Sequence, residues 1–382
     1  MRRVSYLIWP VVTGILAALL ILQLYPQLIS PPVTRVEIRE AASSEQGLPV
    51  HEGVFSYADA VDKAAPAVVN IYTRTLVRQP VNPLLNDPFF RNFFNAEQLP
   101  QRERIESSLG SGVILNEQGY VVTNNHVISG ADSIVVALRD GREALAKVVG
   151  LDPETDLAVL KIDLNDLPSI TLAANDELRI GDVALAIGNP FGVGQTVTMG
   201  IISATGRNRL GLSTYEDFIQ TDAAINPGNS GGALVNAHGN LISINTAIFS
   251  KSGGSQGIGF AIPSSLARQV MQDLIAHGRV IRGWLGVEIQ ELTPRLAESF
   301  SLGDRPGLIV AGIFRNGPAH QAGLQPGDIL LQVEGEVVTS SRATMNRIAR
   351  FKPGQKIALA VLRDGHEMSV TATIGERPAS RS

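Results

Sequence analysis

The 382-residue chain contains no cysteine, which excludes a thiolate nucleophile, a disulfide and a thiolate metal site together. It has no block of basic residues and a formal net charge of −4, so nothing in it collects phosphates and nucleic-acid binding is set aside. Charged residues make up only 18 % against 44 % hydrophobic, a balance that buries a core and rules out wholesale disorder. Histidine is scarce as well. The six are His51, His126, His238, His277, His320 and His366, so a search for a general base has few places to look.

What is present begins with a membrane signal. Arg2 and Arg3 precede an apolar run from Val4 to Leu24, and roughly 20 such residues span the hydrocarbon core of a bilayer. Arginines before the run and none just after it put the amino terminus in the cytoplasm and the rest outside. A cleaved secretory signal is the competing reading, but Gln23-Leu24-Tyr25-Pro26-Gln27 offers no small-x-small cleavage pattern. A retained anchor over 1–29 is therefore expected, followed by a tether over 30–56 carrying Pro31-Pro32, Ser43-Ser44 and Gly47.

Organised sequence starts at Tyr57. A short helix to Ala64 is stopped by Pro66, and Ala67 to Tyr72 reads as a strand. The stretch from Arg78 to Ser107 is loop-like yet holds four phenylalanines in Asp87-Pro-Phe-Phe-Arg-Asn-Phe-Phe94, which need a surface to cover. It reads either as a packed excursion or as an adjustable loop near an active site or subunit contact. From Gly110 to Ile262 short apolar strands alternate with Gly, Asn and Asp turns, the pattern of antiparallel barrels or sandwiches. Pro263 opens a helix over 264–276, apolar at Leu266, Val270, Leu274 and Ile275, which Gly278 is placed to end. The last unit mixes short strands with helical pieces at 319–322 and 341–349. The expected division is thus 57–279 for one domain and 280–377 for a second.

The chemistry centres on Asn226-Pro-Gly-Asn-Ser-Gly-Gly232. A serine hydroxyl attacks only when a base takes its proton and donors stabilise the oxyanion that forms. Gly228 lets the backbone turn so that its N–H and that of Ser230 point at one oxygen. Among the histidines, His51 lies in the tether, His277 at a helix end, and His320 and His366 in the last unit. His238 sits in a hairpin turn too near Ser230 to fold back on it. His126, after the strand Tyr120-Val-Val, is left as the base. Between His126 and Ser230, Asp152 precedes a proline as turn residues do, whereas Asp156 abuts the strand Leu157 to Ile162 and is the better third member. The order His, Asp, Ser is that of chymotrypsin-like barrels. Such cleavage needs no metal and no cofactor. Ile225, by its position before the serine, is a candidate for the pocket that receives the substrate side chain, where an apolar lining favours a small aliphatic residue.

Thr123-Asn-Asn-His-Val, Asp152-Pro-Glu-Thr-Asp-Leu-Ala-Val-Leu-Lys and Gly228-Asn-Ser-Gly-Gly-Ala-Leu together resemble the three signature segments of the HtrA/Deg proteases. Gly188-Asn-Pro-Phe-Gly and Gly200-Ile-Ile-Ser-Ala-Thr-Gly-Arg207 are similar to the segments between the second and third. The resemblance implies a mostly β chain: a chymotrypsin-like double β-barrel protease domain, then a PDZ domain, behind the transmembrane helix. It also implies a homotrimer. Gly283-Trp-Leu-Gly-Val-Glu288 then reads as the loop that holds a peptide's terminal carboxylate, through Trp284, Leu285, Gly286 and Val287.

One anchor and one PDZ domain look like the DegS/AlgW branch, AlgW more so, although the long phenylalanine-rich segment is similar to that of soluble, broad-range relatives. This branch implies a periplasmic protease on the inner membrane. Carboxy termini of misfolded outer-membrane proteins would bind its PDZ domain, and it would cut a membrane-bound anti-sigma factor to start an envelope stress response. Arg207 matches a family position that couples the two domains. The rival expectations are a broad quality-control protease and chaperone, and a non-catalytic peptide-binding module.

Overall fold

In a computed structural model of the chain, the described residues are 56–80, 101–173, 178–250, 253–300, 302 and 305–378, with seven helical residues between Thr13 and Leu24. The expected anchor, apart from those seven, and the tether up to residue 55 lie outside the described residues, as does the phenylalanine cluster at 89–94. Among the described residues no helix is long and apolar enough to cross a membrane. The chain divides into two units, 1–55 and 56–382, and every described strand belongs to the second.

Helix α1 (Ala58–Ala64) leads through a single 3₁₀ turn at Pro66 into a seven-stranded antiparallel sheet. Its strands are β1 (Val68–Pro80), β2 (Gln101–Ile114), β3 (Tyr120–Asn124), β4 (Ser133–Ala137), β5 (Glu143–Leu145), β6 (Lys147–Asp152) and β7 (Leu157–Lys161), in the order β5-β4-β1-β2-β3-β7-β6. The stretch expected to be a loop from Arg78 to Ser107 is partly strand. β1 and β2 stay paired out to Pro80 and Gln101, because a hairpin arm satisfies its backbone N–H and C=O groups where an open loop would not. The sheet's hydrogen-bonded path does not close on itself. Its two ends, β5 and β6, are joined by one residue, Ala146, whose N–H donates to Ile134 O at 2.9 Å. One bent strand thus crosses from one edge to the other, and the chain itself completes the ring.

The second sheet is a closed barrel of β8 (Val183–Gly188), β9 (Thr196–Arg207), β10 (Phe218–Thr221), β11 (Ala233–Val235), β12 (Leu241–Ile248) and β13 (Gly259–Pro263). Its interior is filled by small and branched side chains, among them Ala184, Ala186, Ile202, Leu234 and Ala261. Helix α2 (Asn125–Ile128) is one turn after β3, and α3 (Ser264–His277) packs on β6, β7, β12 and β13, tying the two sheets together. Ala267, Val270 and Leu274 form its buried stripe, each large side chain worth roughly 1.5–3 kcal/mol of burial. The approach to β6 is so close that a Cβ on Gly150 would lie 2.9 Å from Leu274 Cδ2. Gly278, at φ 70°, caps the helix in the left-handed region.

The carboxy-terminal unit has its own core, around Leu308, Leu330, Val333, Leu359 and Val361. Its strands are β14 (Gly283–Trp284), β15 (Val287–Glu291), β16 (Leu308–Ile313), β17 (Ile329–Val333), β18 (Glu336–Val337), β19 (Lys356–Arg363), β20 (His366–Thr373) and β21 (Gly375–Glu376). β15 is the edge strand of the main sheet, and β14 pairs with β21. Three helices complete the unit: α4 (Pro294–Ser299), which the sequence reading lacks, α5 (Pro318–Gln321) and α6 (Ser341–Arg350).

Ionic contacts fasten this unit to the barrels. Arg282 is nearly buried, 11 % exposed, and pairs with Asp152 (5 % exposed) at 2.5 Å and Glu154 at 3.0 Å. Arg377 reaches Glu154 at 2.9 Å and donates to the Tyr215 hydroxyl at 2.5 Å. The Tyr215 ring receives both guanidiniums, Arg282 at 4.6 Å and Arg377 at 5.3 Å from its centroid. Arg350–Asp217, Arg342–Glu216 and Arg209–Glu291 complete the contact.

Breaking a buried pair from one side leaves an uncompensated charge. Arg282→Ala is therefore expected to cost about 3 kcal/mol, read as a lower unfolding midpoint. Burial pushes the Tyr215 phenol above its ordinary value, against the opposing pull of the Arg377 and Arg282 charges. The unfolded chain then ionises this group first, so its contribution is whole below about pH 10 and is lost as pH rises toward the folded value. Denaturation followed at rising alkaline pH tests this, and Tyr215→Phe should flatten that part of the decline.

Candidate active site

β3 and β7 are antiparallel neighbours with Asn124 opposite Leu157, which places the residue after β3 beside the residue before β7. His126, in the one-turn helix α2, and Asp156 are thereby brought together. Nδ1 of His126 lies 2.7 Å from Asp156 Oδ2, and the His126 backbone N–H donates to Asp156 Oδ1 at 3.0 Å. An ionised carboxylate only accepts, so Nδ1 carries the proton and Nε2 is left as the basic nitrogen. Asp156 sits at φ 58°, a left-handed backbone that aspartate tolerates better than most residues. Its carbonyl accepts from Asn124 Nδ2 at 2.9 Å and from the Asn125 N–H at 3.1 Å, which fixes that turn. Asp152, the other candidate, faces Arg282 and Thr155 instead.

Ser230 lies on the turn between β10 and β11. Its Oγ donates to the Thr246 carbonyl at 3.1 Å, while the Thr246 hydroxyl donates to Asp156 Oδ2 at 2.9 Å. One buried threonine of β12 thus touches both the serine and the carboxylate. In this structure the serine hydroxyl is turned to the Thr246 carbonyl. The sequence reading misses Thr246, whose strand carries no motif of its own.

The serine turn pairs three of its backbone donors with protein carbonyls and leaves two over. Between Gly228 and Gly232, the N–H groups of Asn229, Gly231 and Gly232 donate to Asn226 O, Asn245 O and Asn229 O at 3.0, 2.8 and 2.9 Å. Those of Gly228 and Ser230 donate to no described protein acceptor. The carbonyls are engaged on the other side: Pro227 O accepts from the Phe191 N–H at 3.0 Å, Gly228 O from Ser111 Oγ at 2.7 Å, and Ser230 O from the Ser111 N–H at 2.8 Å. In a planar peptide the C=O and N–H point opposite ways, so the Gly228 N–H is directed away from Phe191. Two N–H groups left unbonded on one turn are what an oxyanion requires. Gly231, at φ 83°, admits no side chain, since a Cβ there would lie 2.1 Å from Ser111 O.

The remaining expected residues are more scattered. Ile225 is 1 % exposed and packs in the second barrel's core, so it can close the bottom of a slot but does not line an open wall. Arg207 ends β9, and its Nε donates to Gln220 at 3.0 Å. Two residues on, Arg209 pairs with Glu291 at the end of β15. In the carboxy-terminal unit, the Leu285 and Gly286 carbonyls accept from the Ala319 and Phe314 N–H groups at 2.8 and 2.9 Å. Gly286 is at φ 74°, and the Trp284 ring meets Phe314 edge-on with 5.3 Å between centroids. This loop leads into the edge strand β15. Among the described residues no cluster of side chains is suited to holding a metal ion.

Thr246→Val, which keeps the carbonyl and removes the hydroxyl, is expected to lower kcat about tenfold with KM within about twofold. Steady-state kinetics on a peptide substrate provide the check.

The trypsin-like peptidase domain family matches residues 110–244 and the PDZ domain family matches 283–374. The chain is 46 % identical over 348 residues to a probable periplasmic serine endoprotease, DegP-like, of Ectopseudomonas mendocina (strain ymp), covering 87 % of this chain and 73 % of the relative. Among solved structures, the HtrA-type protease AlgW with decapeptide is 61 % identical with a TM-score of 0.70, covering 85 % of this chain and 99 % of that one. A serine endoprotease from Yersinia pestis is 44 % identical with a TM-score of 0.59, covering 85 % and 98 %.

Proposed function

Because the chain belongs to the HtrA-type family of periplasmic serine endoproteases, we propose that His126, Asp156 and Ser230 are its catalytic triad and that peptide binding to its PDZ domain switches them on. The observation that carries the first part is the 2.7 Å His126–Asp156 bond, linked through Thr246 to Ser230. Ser230 Oγ attacks the substrate carbonyl, His126 Nε2 takes the proton, and Asp156 holds the imidazole and balances its charge. The Gly228 and Ser230 N–H groups receive the oxyanion; His126 then returns the proton to the leaving amine. Water repeats the sequence on the acyl-enzyme. Ile225 closes the bottom of the pocket for the residue before the cut bond, favouring a small aliphatic side chain.

The protease domain occupies 57–279 and the PDZ domain 280–377 in this reading, behind a single-pass inner-membrane anchor at 1–29 and a tether at 30–56. The ligand is the carboxy terminus of a misfolded outer-membrane protein, added as a strand beside β15 with its carboxylate on the Trp284–Val287 loop. Three observations support peptide control. AlgW, a relative with this architecture, has been solved with a decapeptide. The Arg209–Glu291 pair joins the strand that would receive the peptide to the segment holding Arg207, the proposed coupling residue. A crevice is lined by Gly211, Leu212, Ser213 and Thr214 on the protease side and by Ser341, Arg342 and Met345 of α6 on the other. The substrate is the periplasmic part of a membrane-bound anti-sigma factor, cut by a homotrimer at the inner membrane.

A second reading, a broad quality-control protease, is favoured by the identity to DegP-like relatives. The test is cleavage of a periplasmic anti-sigma fragment with and without a peptide ending in aromatic residues, beside Ser230→Ala and with unfolded casein as a second substrate. Cleavage that needs both peptide and Ser230 is the expected result. Equal cleavage of both substrates without peptide would replace regulated proteolysis by quality control, and full biological function in Ser230→Ala would leave only the peptide-binding module.

A further inference from the structure

We propose that Asn226 is a specificity-positioning residue, whose side-chain amide ties the turn bearing Ser230 to the loop after β12 and so holds one wall of the substrate side-chain pocket. This rests on the reading of Ser230 as the attacking residue. Asn226 Oδ1 accepts from the Ser255 N–H at 2.8 Å, and its backbone carbonyl accepts from the Asn229 N–H at 3.0 Å. The same residue therefore braces the serine turn from within and reaches across to a second loop. A Cβ on Gly254 would lie 3.8 Å from Asn226 Oδ1, so two successive loop residues sit against the amide.

That second loop belongs to the β12–β13 hairpin, closed by the Phe249 N–H on Ile258 O at 3.0 Å. At its start, β12 supplies Thr246, whose carbonyl accepts from Ser230 Oγ. At its far side, Ser255 returns to Asn226, four residues before the serine. The loop is thus fixed to the serine segment at both ends. Ile225 packs beneath, where a Cβ on Gly259 would lie 2.8 Å from Ile225 Cδ1. In this proposal a side chain preceding the cut bond would enter between the serine turn and the end of β12, above Ile225 and beside the Asn226–Ser255 bond.

Beside the Gly253 N–H on Ser250 Oγ at 3.0 Å, the described part of the loop is rich in glycine. Gly253 and Gly257 are at φ 83° and 75°, and Gly254 lies between them, so ordering this stretch costs more entropy than ordering most sequences. A chain without cysteine has no disulfide for the task. A side-chain acceptor on a backbone N–H supplies the link, and it constrains the width of the pocket without touching the reacting atoms.

The test uses the full-length protein in detergent with activating peptide, and a series of peptide substrates differing only in the residue before the cut bond. Asn226→Ala is expected to reduce the kcat/KM ratio between valine and phenylalanine at that position at least roughly fivefold, mainly through KM. Asn226→Asp retains an acceptor for the Ser255 N–H and should retain the ratio. Ser255→Pro removes the donor instead; it should reproduce the loss, and the double variant should add nothing further. Equal loss on all substrates with the ratio unchanged would overturn the proposal, as would an unchanged Asn226→Ala. If Asn226→Ala does not fold, Ser255→Pro decides alone: an unchanged ratio there overturns the proposal. Ser230→Ala run in parallel separates the two readings, since residual cleavage by that variant would refute the triad rather than the tether.

Discussion

The arrangement of the site depends on the backbone of Asp156, held at φ 58° in the turn between β6 and β7. A non-glycine residue in that region costs roughly 1–2 kcal/mol, and the surroundings offset it. Asn124 and Asn125 donate to its carbonyl, while the His126 N–H and the Thr246 hydroxyl donate to its carboxylate. With so many donors converging on it, the carboxylate has one orientation left, and His126 Nδ1 lies on it. The bond at Nδ1 leaves Nε2 as the imidazole's other nitrogen. Proton transfer in such a site gains from groups set before the substrate arrives.

The same short stretch is also where the carboxy-terminal unit holds on. Asp152 and Glu154 pair with Arg282, Glu154 pairs with Arg377, and the Tyr215 N–H donates to the Glu154 carbonyl at 3.0 Å. Two residues beyond Glu154 comes Asp156. The linker between the domains and the carboxylate that orients His126 are therefore anchored in one turn. In the proposed regulation, a ligand would act on that turn only through its difference in affinity for two arrangements of the carboxy-terminal unit.

Much of this was legible in the sequence, because chain-local chemistry was strong there. Strand alternation, the helix over 264–276 with Gly278 after it, and the glycine pattern around Ser230 each reflect a residue's own backbone preference. The choice of Asp156 over Asp152 rested on turn chemistry, and the structure shows each with its own partner, His126 and Arg282. What stayed illegible was long-range. Thr246 looks like any strand threonine until β12 lies against the serine turn. Asn226 looks like a turn residue until the loop after β12 reaches it. The joining of β5 to β6 through Ala146 depends on the curvature of a whole sheet. Ile225, placed by position alone, is buried in the second barrel's core, a burial that sequence distance from Ser230 does not reveal.

The most direct measurement of the central claim is covalent labelling of the peptide-activated protein with a peptidyl phosphonate, followed by mass-spectrometric mapping of the adduct. The account predicts a single adduct on Ser230 Oγ, whose formation is suppressed by His126→Ala. Labelling at another residue, or undiminished labelling of Ser230 without His126, would contradict the assignment of base and nucleophile on which the mechanism rests.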